Sequence, residues 1–224
     1  MAKLEVIATN KDDILKIDFS KASRIELVEE LEKGGLTPNL DLIKFAKENS
    51  DLPIRIMIRP HDKSFNYDNE DIEQMKRDID NVKNIGCEGV VFGVLNEDNE
   101  LNFEAMQQLV KIAKPMKITF HRAIDDIPTN KLEETLLKLE SLKIDTILTS
   151  LGHIEEEKDK RFNILKNSQI EVMYGSGVSV KNIDIIKEKF PLEFYHVGSS
   201  ARKNNCLKED IVVEKIDDIV DKIS

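Results

Sequence analysis

Short runs of β-branched and other apolar residues alternate with longer, charged segments along most of the chain. A new run begins roughly every 27 residues, which is the length that a strand, two loops and a helix require. The eight runs are residues 4–8, 24–28, 54–59, 89–95, 117–121, 145–150, 170–174 and 193–197. Strands that alternate with helices in this way are typical of a parallel sheet.

The segments between these runs have the period of amphipathic helices. In residues 71–84, Ile72, Met75, Ile79 and Val82 fall on one helical face. The same period predicts helices over residues 103–113, 130–142 and 211–223. Residues 37–38, Thr-Pro, predict a further helix start, with the hydroxyl as N-cap and proline in the first helical position.

Eight strand–helix units predict an α/β protein with a single (β/α)8 TIM-type barrel over residues 1–224. The chain is slightly short for this fold, which typically needs about 250 residues. No linker or low-complexity tract divides the sequence. An open, doubly wound sheet is the alternative, but the sequence has no G-x-G-x-x-G turn after its first strand, and this favours the barrel.

The chain is acidic, with 43 Asp and Glu against 33 Lys and Arg and a formal net charge of −10. Without a basic cluster, we expect no binding to nucleic acid or to an anionic membrane surface. No apolar stretch approaches the ~20 residues that span a bilayer, and the N-terminus lacks a signal-peptide pattern, so we expect a cytoplasmic protein. Cys87 and Cys206 are expected to be free thiols.

Candidate site residues follow the predicted strands, because the active sites of parallel barrels form where strands end and βα loops begin. Arginines there could bind an anion with their guanidinium forks. Glycines after the seventh and eighth strands allow backbone N–H groups to converge on phosphate. The predicted substrate- or anion-binding residues are Arg59, Arg122, Thr149, Gly175, Gly177, His196, Gly198 and Ser199.

Acid–base chemistry is predicted for a histidine and two glutamates. His121 lies at a strand end, where an imidazole can titrate near neutral pH. Glu5 and Glu26 interrupt apolar strands, and burial side by side would raise one pKa. Salt bridges to Arg24 or Arg55 would explain the same glutamates structurally. Together with His121 and His196 they could also bind a divalent ion.

Several blocks of sequence occur in an order that resembles the CutC family. They are residues 34–38 (GGLTP), 57–60 (MIRP), 89–95 (GVVFGVL), 119–123 (TFHRA) and 147–150 (ILTS). The resemblance covers residues 4–202 and implies a cytosolic (β/α)8 barrel with a role in copper homeostasis. It also places Glu5, Glu26, Arg59, His121, Arg122 and Asp125 at matching family positions, and Asp125 thereby joins the catalytic candidates.

The chain departs from the family pattern where copper thiols would be expected. Many members carry cysteine after the first-strand glutamate and at the end of the second strand, whereas this chain has Ile7, Ala8 and Val28. Aliphatic side chains cannot coordinate Cu(I), which prefers thiolate or thioether ligands. The resemblance therefore implies copper as a possible cofactor, while these substitutions remove the thiolate ligands.

Two functions remain open from the sequence. One is copper handling, with the metal held by non-thiol ligands or by Cys87, Cys206 and methionines. The other is an isomerase, lyase or hydrolase acting on a small phosphorylated or carboxylated metabolite. In that case Arg59 and the Gly/Ser loops bind the anion, and His121 or the glutamates Glu5 and Glu26 act as acid or base. The partner is a small molecule or metal ion, and a homodimer is expected.

Overall fold

The computed structural model describes residues 2–224 and contains eight parallel strands that close into a barrel in chain order. The strands are β1 (Lys3–Ala8), β2 (Arg24–Leu27), β3 (Ile54–Met57), β4 (Gly89–Phe92), β5 (Lys117–Phe120), β6 (Thr146–Thr149), β7 (Glu171–Tyr174) and β8 (Phe194–Val197). Pairing of β8 with β1 closes the sheet. This confirms the predicted (β/α)8 barrel and excludes the open sheet.

Each strand is followed by a helix that packs on the outside of the barrel. The helices are α1 (Lys11–Asp18), α2 (Leu40–Asn49), α3 (Asn69–Ile85), α4 (Phe103–Ala113), α5 (Leu132–Ser141), α6 (Lys158–Leu165), α7 (Ile183–Lys189) and α8 (Val213–Ile223). Within residues 2–224, none of them combines the length and the apolar composition needed to cross a bilayer.

Local sequence explains where α3 begins and ends. The Asp68 carboxylate accepts the Asp71 backbone N–H at 2.9 Å, and the Asp71 carboxylate accepts the Asp68 N–H at 3.3 Å. This reciprocal cap satisfies donors that the first helical turn leaves free. Gly86 follows the last turn with φ +86°, a left-handed conformation that glycine adopts without strain. The predicted apolar face of α3 is buried.

The expected start of α2 at Thr37-Pro38 is wrong by two residues. The Asn39 side chain caps the helix instead, accepting the Leu42 N–H at 2.9 Å. The Thr37 hydroxyl is engaged elsewhere, because it accepts the backbone N–H of Arg59 at 2.8 Å. The residues just before α2 therefore hold the end of β3, where a candidate site residue lies.

The main apolar core lies between the barrel and its helices. Side chains alternate along a strand, so Leu4 and Val6 face outward and are fully buried against the helices. Two smaller apolar groups lie inside the barrel. The first contains Ile7, Val28, Met57 and Val91, and the second contains Leu148, Met173 and Phe194.

The register of the sheet brings charged residues of separate strands together. Glu5 of β1 lies opposite Arg24 of β2 and opposite His196 of β8. Two residues further along the sheet, Ile7 lies opposite Glu26. These positions place charged side chains beside the two interior apolar groups, and this arrangement creates the site described next.

Candidate active site at the barrel mouth

A cavity of about 250 Å³ lies at the carboxyl ends of the strands. Nine of the twelve site residues predicted from the sequence line it: Glu26, Arg59, His121, Arg122, Gly175, Gly177, His196, Gly198 and Ser199. The other three, Glu5, Asp125 and Thr149, lie behind the cavity wall and contact residues of the site. The fold thus brings together candidates from seven of the eight strands and the loops that follow them.

A chain of buried charged side chains runs from the barrel interior to this cavity. Glu5 accepts a hydrogen bond from Arg24 Nε through one carboxylate oxygen and from His196 Nδ1, at 2.8 Å, through the other. The Nε2 atom of His196 lies 3.8 Å from Glu26 Oε2. The second oxygen of Glu26 is buried and has no hydrogen-bond partner among residues 2–224.

The surroundings of the two glutamates shift their pKa values in opposite directions. Burial disfavours ionised Glu5, but Arg24 and His196 outweigh it and lower the pKa of Glu5 to about 2. Burial raises the pKa of Glu26 to about 7, because His196 offsets it only in part and Glu5 adds to the rise. Glu5 is therefore ionised at neutral pH, whereas Glu26 gains or loses a proton near neutral pH.

These carboxylates favour the protonated form of His196. Burial alone would lower its pKa, but the charge of Glu26 and the hydrogen bond and charge of Glu5 raise the pKa above the ordinary value. Because Glu5 accepts a hydrogen bond from Nδ1–H, the ring is oriented with Nε2 toward Glu26. Glu5 thus positions the imidazole, and Glu26 is the group beside it that lines the cavity.

The expectation that His121 titrates near neutral pH is not met in the structure. Burial lowers its pKa to about 3, and the positive charge of Arg59 contributes. The Nδ1 atom accepts the Ala123 backbone N–H at 3.2 Å, so the ring proton is carried by Nε2. That Nε2 is buried and has no partner among residues 2–224. A neutral ring of this kind offers a hydrogen-bond donor and does not act as a base at pH 7.

Arg59 is buried at the mouth with part of its guanidinium free. Its Nη1 donates to the carbonyls of Lys33 and Gly35 at 3.2 and 3.4 Å, whereas Nε has no partner among residues 2–224. The guanidinium lies 4.9 Å from the centre of the Phe65 ring. A Cβ on Gly34 would lie 2.8 Å from Arg59 Nη1, and Gly34 has φ +87°, a left-handed conformation that favours glycine.

Asp125 holds the loop after β6 and does not line the cavity. Its carboxylate accepts hydrogen bonds from the hydroxyls of Thr149 and Ser150, at 2.6 and 2.7 Å. It also accepts the N–H groups of Ser150 and Gly152. Burial opposes ionisation, but these hydrogen bonds outweigh it and lower the pKa of Asp125. Asp125 and Thr149 therefore shape the mouth from behind.

Arg122 is oriented by this same loop. Its Nε donates to Asp125 at 3.0 Å and its Nη2 donates to the Ser150 hydroxyl at 3.1 Å. The side chain is 46% exposed, so the guanidinium lies at the rim of the cavity. Its charge is available to an anion that enters the mouth.

The glycines after β7 and β8 allow the backbone to approach the site closely. A Cβ on Gly175 would lie 2.6 Å from Leu148 and 3.1 Å from His196. Gly177 has φ +59°, so the turn after β7 also uses the left-handed region. Together with Gly198 and Ser199 these residues form the wall of the cavity nearest to His196.

The apolar part of the cavity was not predicted from the sequence. Phe65, in the loop after β3, packs on the His121 ring with 4.6 Å between ring centres. Leu31, Met57, Leu148 and Val178 also line the cavity. Phe65 lies outside any strand or helix, so no hydrophobic period identifies it. An isolated aromatic residue in a polar βα loop was the one available signal.

The cluster of possible metal ligands at the mouth consists of oxygen and imidazole donors. Glu5, Glu26 and His196 each offer one ligand atom, and these atoms lie within 4.8 Å of one another. Such oxygen and imidazole donors suit harder divalent ions, whereas Cu(I) prefers sulfur. Cys206 is exposed, Cys87 is buried with its pKa raised to about 11 by burial, and neither lines the cavity.

Solved structures with similar folds include a CutC from Streptococcus agalactiae. It superimposes with a TM-score of 0.82 at 28% identity, covering 88% of this chain and 98% of that one. Phosphoribosyl anthranilate isomerase from Thermococcus kodakaraensis has the same fold, with a TM-score of 0.65, 13% identity and coverage of 99% and 98%. At 13% identity, the similarity to the isomerase shows a shared fold and nothing more.

Sequence relatives identify the family. A CutC family protein from Aliivibrio fischeri is 34% identical over 92% of this chain and 85% of its own length. The human copper homeostasis protein cutC homolog is 32% identical over 92% of this chain and 76% of its own length. The CutC family model matches residues 2–200. The chain therefore belongs to the CutC family.

Proposed function

We propose that the barrel mouth is an active site that moves a proton on a small metabolite carrying a phosphate or carboxylate group. The observation that carries this proposal is the Glu26–His196 pair, which lines the cavity and includes a carboxyl whose pKa is about 7. A general acid or base works best when its pKa lies near the working pH. Pairs of titratable groups with separated pKa values recur at catalytic sites.

The anionic group of the metabolite would bind on the basic side of the mouth. Arg59 presents an Nε that has no partner among residues 2–224, and Arg122 lies at the rim. The loops of Gly175–Gly177 and Gly198–Ser199 supply backbone at the place where barrels often bind phosphate. Two guanidinium groups, one buried and one at the rim, favour an anion over a neutral ligand.

Glu26 would act as the group that takes and returns the proton. In its carboxylate form it accepts a proton from a C–H or O–H of the bound molecule, and in its acid form it donates that proton to a neighbouring atom. The negative charge left on the molecule is stabilised by protonated His196 and by the Nε2–H of His121. Glu5 keeps His196 oriented throughout.

A thermal-shift screen with phosphorylated and carboxylated metabolites tests this proposal. We expect a ligand that raises the melting temperature of the wild-type protein and loses the effect in Arg59→Met. With that ligand, Glu26→Gln should bind but lose at least 100-fold in hydrogen–deuterium exchange or turnover, the usual size of an acid–base contribution.

Arg77→Met serves as the matched control, because Arg77 lies on the solvent face of α3 and contacts Gln74. This variant should retain binding and turnover. The proposal is wrong if no anionic metabolite stabilises the wild-type protein, or if Glu26→Gln retains full turnover.

A role in copper homeostasis is the second candidate, and the names of relatives in the family support it. The donors at the mouth do not suit stored Cu(I), so we expect this role to depend on the reaction at the mouth. In a Cu(I) titration against a competing chelator under reducing conditions, residual binding should disappear in Cys206→Ser. Stoichiometric Cu(I) binding that survives Cys206→Ser and is lost in Glu26→Gln would contradict this expectation.

A further inference from the structure

A second cavity, of about 440 Å³, lies at the opposite end of the barrel. Its walls come from residues at or just before the starts of strands, so it is separated from the mouth by the barrel interior. The lining residues with charged side chains are Lys3, Arg24, Arg55, Lys117, Asp145 and Glu171. Four cations thus face two carboxylates in an otherwise acidic protein.

Most of these charges already have a partner. Arg24 donates to Glu5 and lies 3.9 Å from Glu171. Lys117 is 2.7 Å from Asp145. The Glu171 carboxylate also accepts the Thr146 hydroxyl at 3.1 Å. The two carboxylates of the cavity are therefore engaged by groups other than Arg55.

Arg55 is the exception among the buried cations of this end. The residue is only 7% exposed, and both Nε and Nη1 are buried with no hydrogen-bond partner among residues 2–224. Burial and the nearby charge of Arg24 lower its pKa. A Cβ on Gly89 would come within 2.5 Å of the Lys117 carbonyl oxygen and 2.7 Å of Arg55 Nη1, so the guanidinium lies directly against this glycine.

Other buried arginines of this chain show what a purely structural role looks like. Arg161 donates to the carbonyls of Ile124 and Ile127 at 2.6 and 2.8 Å. Arg202 pairs with Asp13 at 2.6 Å and donates to the Glu209 carbonyl at 2.9 Å. A buried guanidinium without such partners is costly, because its donors lose water without gaining a protein acceptor.

We propose that this end of the barrel binds a tetrahedral oxyanion of the phosphate class, with Arg55 as its principal ligand. The planar guanidinium offers parallel N–H donors that match two oxygens of such an anion. Lys3 and Lys117 lie at the strand starts around the cavity and add positive charge at its entrance. The anion supplies hydrogen-bond acceptors for Nε and Nη1 of Arg55, which have none among residues 2–224.

The test is a titration of the wild-type protein, labelled with 15N-arginine, with inorganic phosphate. We expect the Nε–H signal of Arg55, identified by its loss in Arg55→Met, to shift in a saturable manner. Phosphate should also raise the melting temperature. The response of Arg55 should persist in Arg59→Met, because Arg59 lies at the mouth.

Variants at Arg55 show how much this residue contributes to phosphate affinity. Arg55→Met should weaken phosphate binding at this end by about tenfold or more, as expected for the loss of charge-assisted hydrogen bonds. Arg55→Lys keeps the positive charge but loses the planar guanidinium, so its phosphate affinity should lie between those of the wild-type protein and Arg55→Met. The proposal is overturned if the Arg55 signal of the wild-type protein does not respond to phosphate, or if its response disappears in Arg59→Met.

Discussion

The pKa values of the two histidines at the mouth are shifted in opposite directions because different groups surround them. His196 lies between Glu5 and Glu26, and their negative charges raise its pKa. His121 lies against Phe65 and near Arg59, so burial and a positive charge lower its pKa to about 3. One residue type thus supplies a cation at one side of the cavity and a neutral donor at the other.

Long-range 1H–15N spectra of the imidazole rings test this difference. We expect His121 to remain the neutral Nε2–H tautomer between about pH 5 and 8. His196 should keep both ring protons above the pH at which an ordinary histidine loses one. In Glu26→Gln the pKa of His196 should fall, while His121 is unchanged. Protonation of His121 above about pH 5 would contradict the assignment.

The sequence predicts which residues gather at the mouth better than it predicts their roles. Strand ends can be read from apolar runs, so Arg59 and His196 could be placed there. The state of His121 depends on the 3-10 turn after β5, which presents the Ala123 N–H to Nδ1. The position of Glu5 behind the cavity depends on the register between β1 and β8. Neither turn nor register follows from hydrophobic period alone.

At the scale of elements, Asp125 links the turn after β5 to the loop after β6. We expect Asp125→Asn to lower the free energy of unfolding by about 2 kcal/mol, because an amide has one acceptor oxygen and its NH2 would face other donors. Arg122 would also lose its anchor, so ligand binding at the mouth should weaken. Urea unfolding and ligand titration measure the two effects.

Asp126→Asn is the matched control for this prediction. Asp126 is next in the chain and is partly exposed, where it pairs with the exposed His153. A surface substitution of this kind is expected to change the free energy of unfolding by less than about 0.5 kcal/mol. Equal effects of the two variants would show that Asp125 has no special part in holding the loop.

The first and last residues of a helix could be predicted where its hydrophobic periodicity is strong. The helix predicted over residues 103–113 is observed as Phe103–Ala113. The prediction failed at Thr37-Pro38 because the Thr37 hydroxyl bonds to the backbone of Arg59, a residue distant in sequence. A capping pattern identifies groups that could end a helix, but the tertiary fold decides which of them is free to do so.

At the scale of the whole molecule, acidity is largely a property of the surface. Only four of the 43 acidic residues are buried, namely Glu5, Asp13, Glu26 and Asp125. Three of them have partners that offset their charge. Arg24 pairs with Glu5, Arg202 pairs with Asp13, and hydrogen-bond donors surround Asp125. Glu26 is the exception, because its nearest positive group, His196, also interacts with Glu5. The stability of the barrel should therefore respond to the protonation of this one carboxyl.

Glu26 should make the folded state less stable as pH rises toward neutrality. Its pKa rises from the ordinary 4.5 to about 7 on folding, so the folded chain binds the proton more tightly. The associated stabilisation is fully present below about pH 4.5 and is lost as pH rises through about 7, and it amounts to about 3 kcal/mol. Glu26→Gln removes this titration. Urea unfolding should therefore show the stability of the wild-type protein falling relative to Glu26→Gln between about pH 4.5 and 8, whereas a constant difference would contradict the raised pKa.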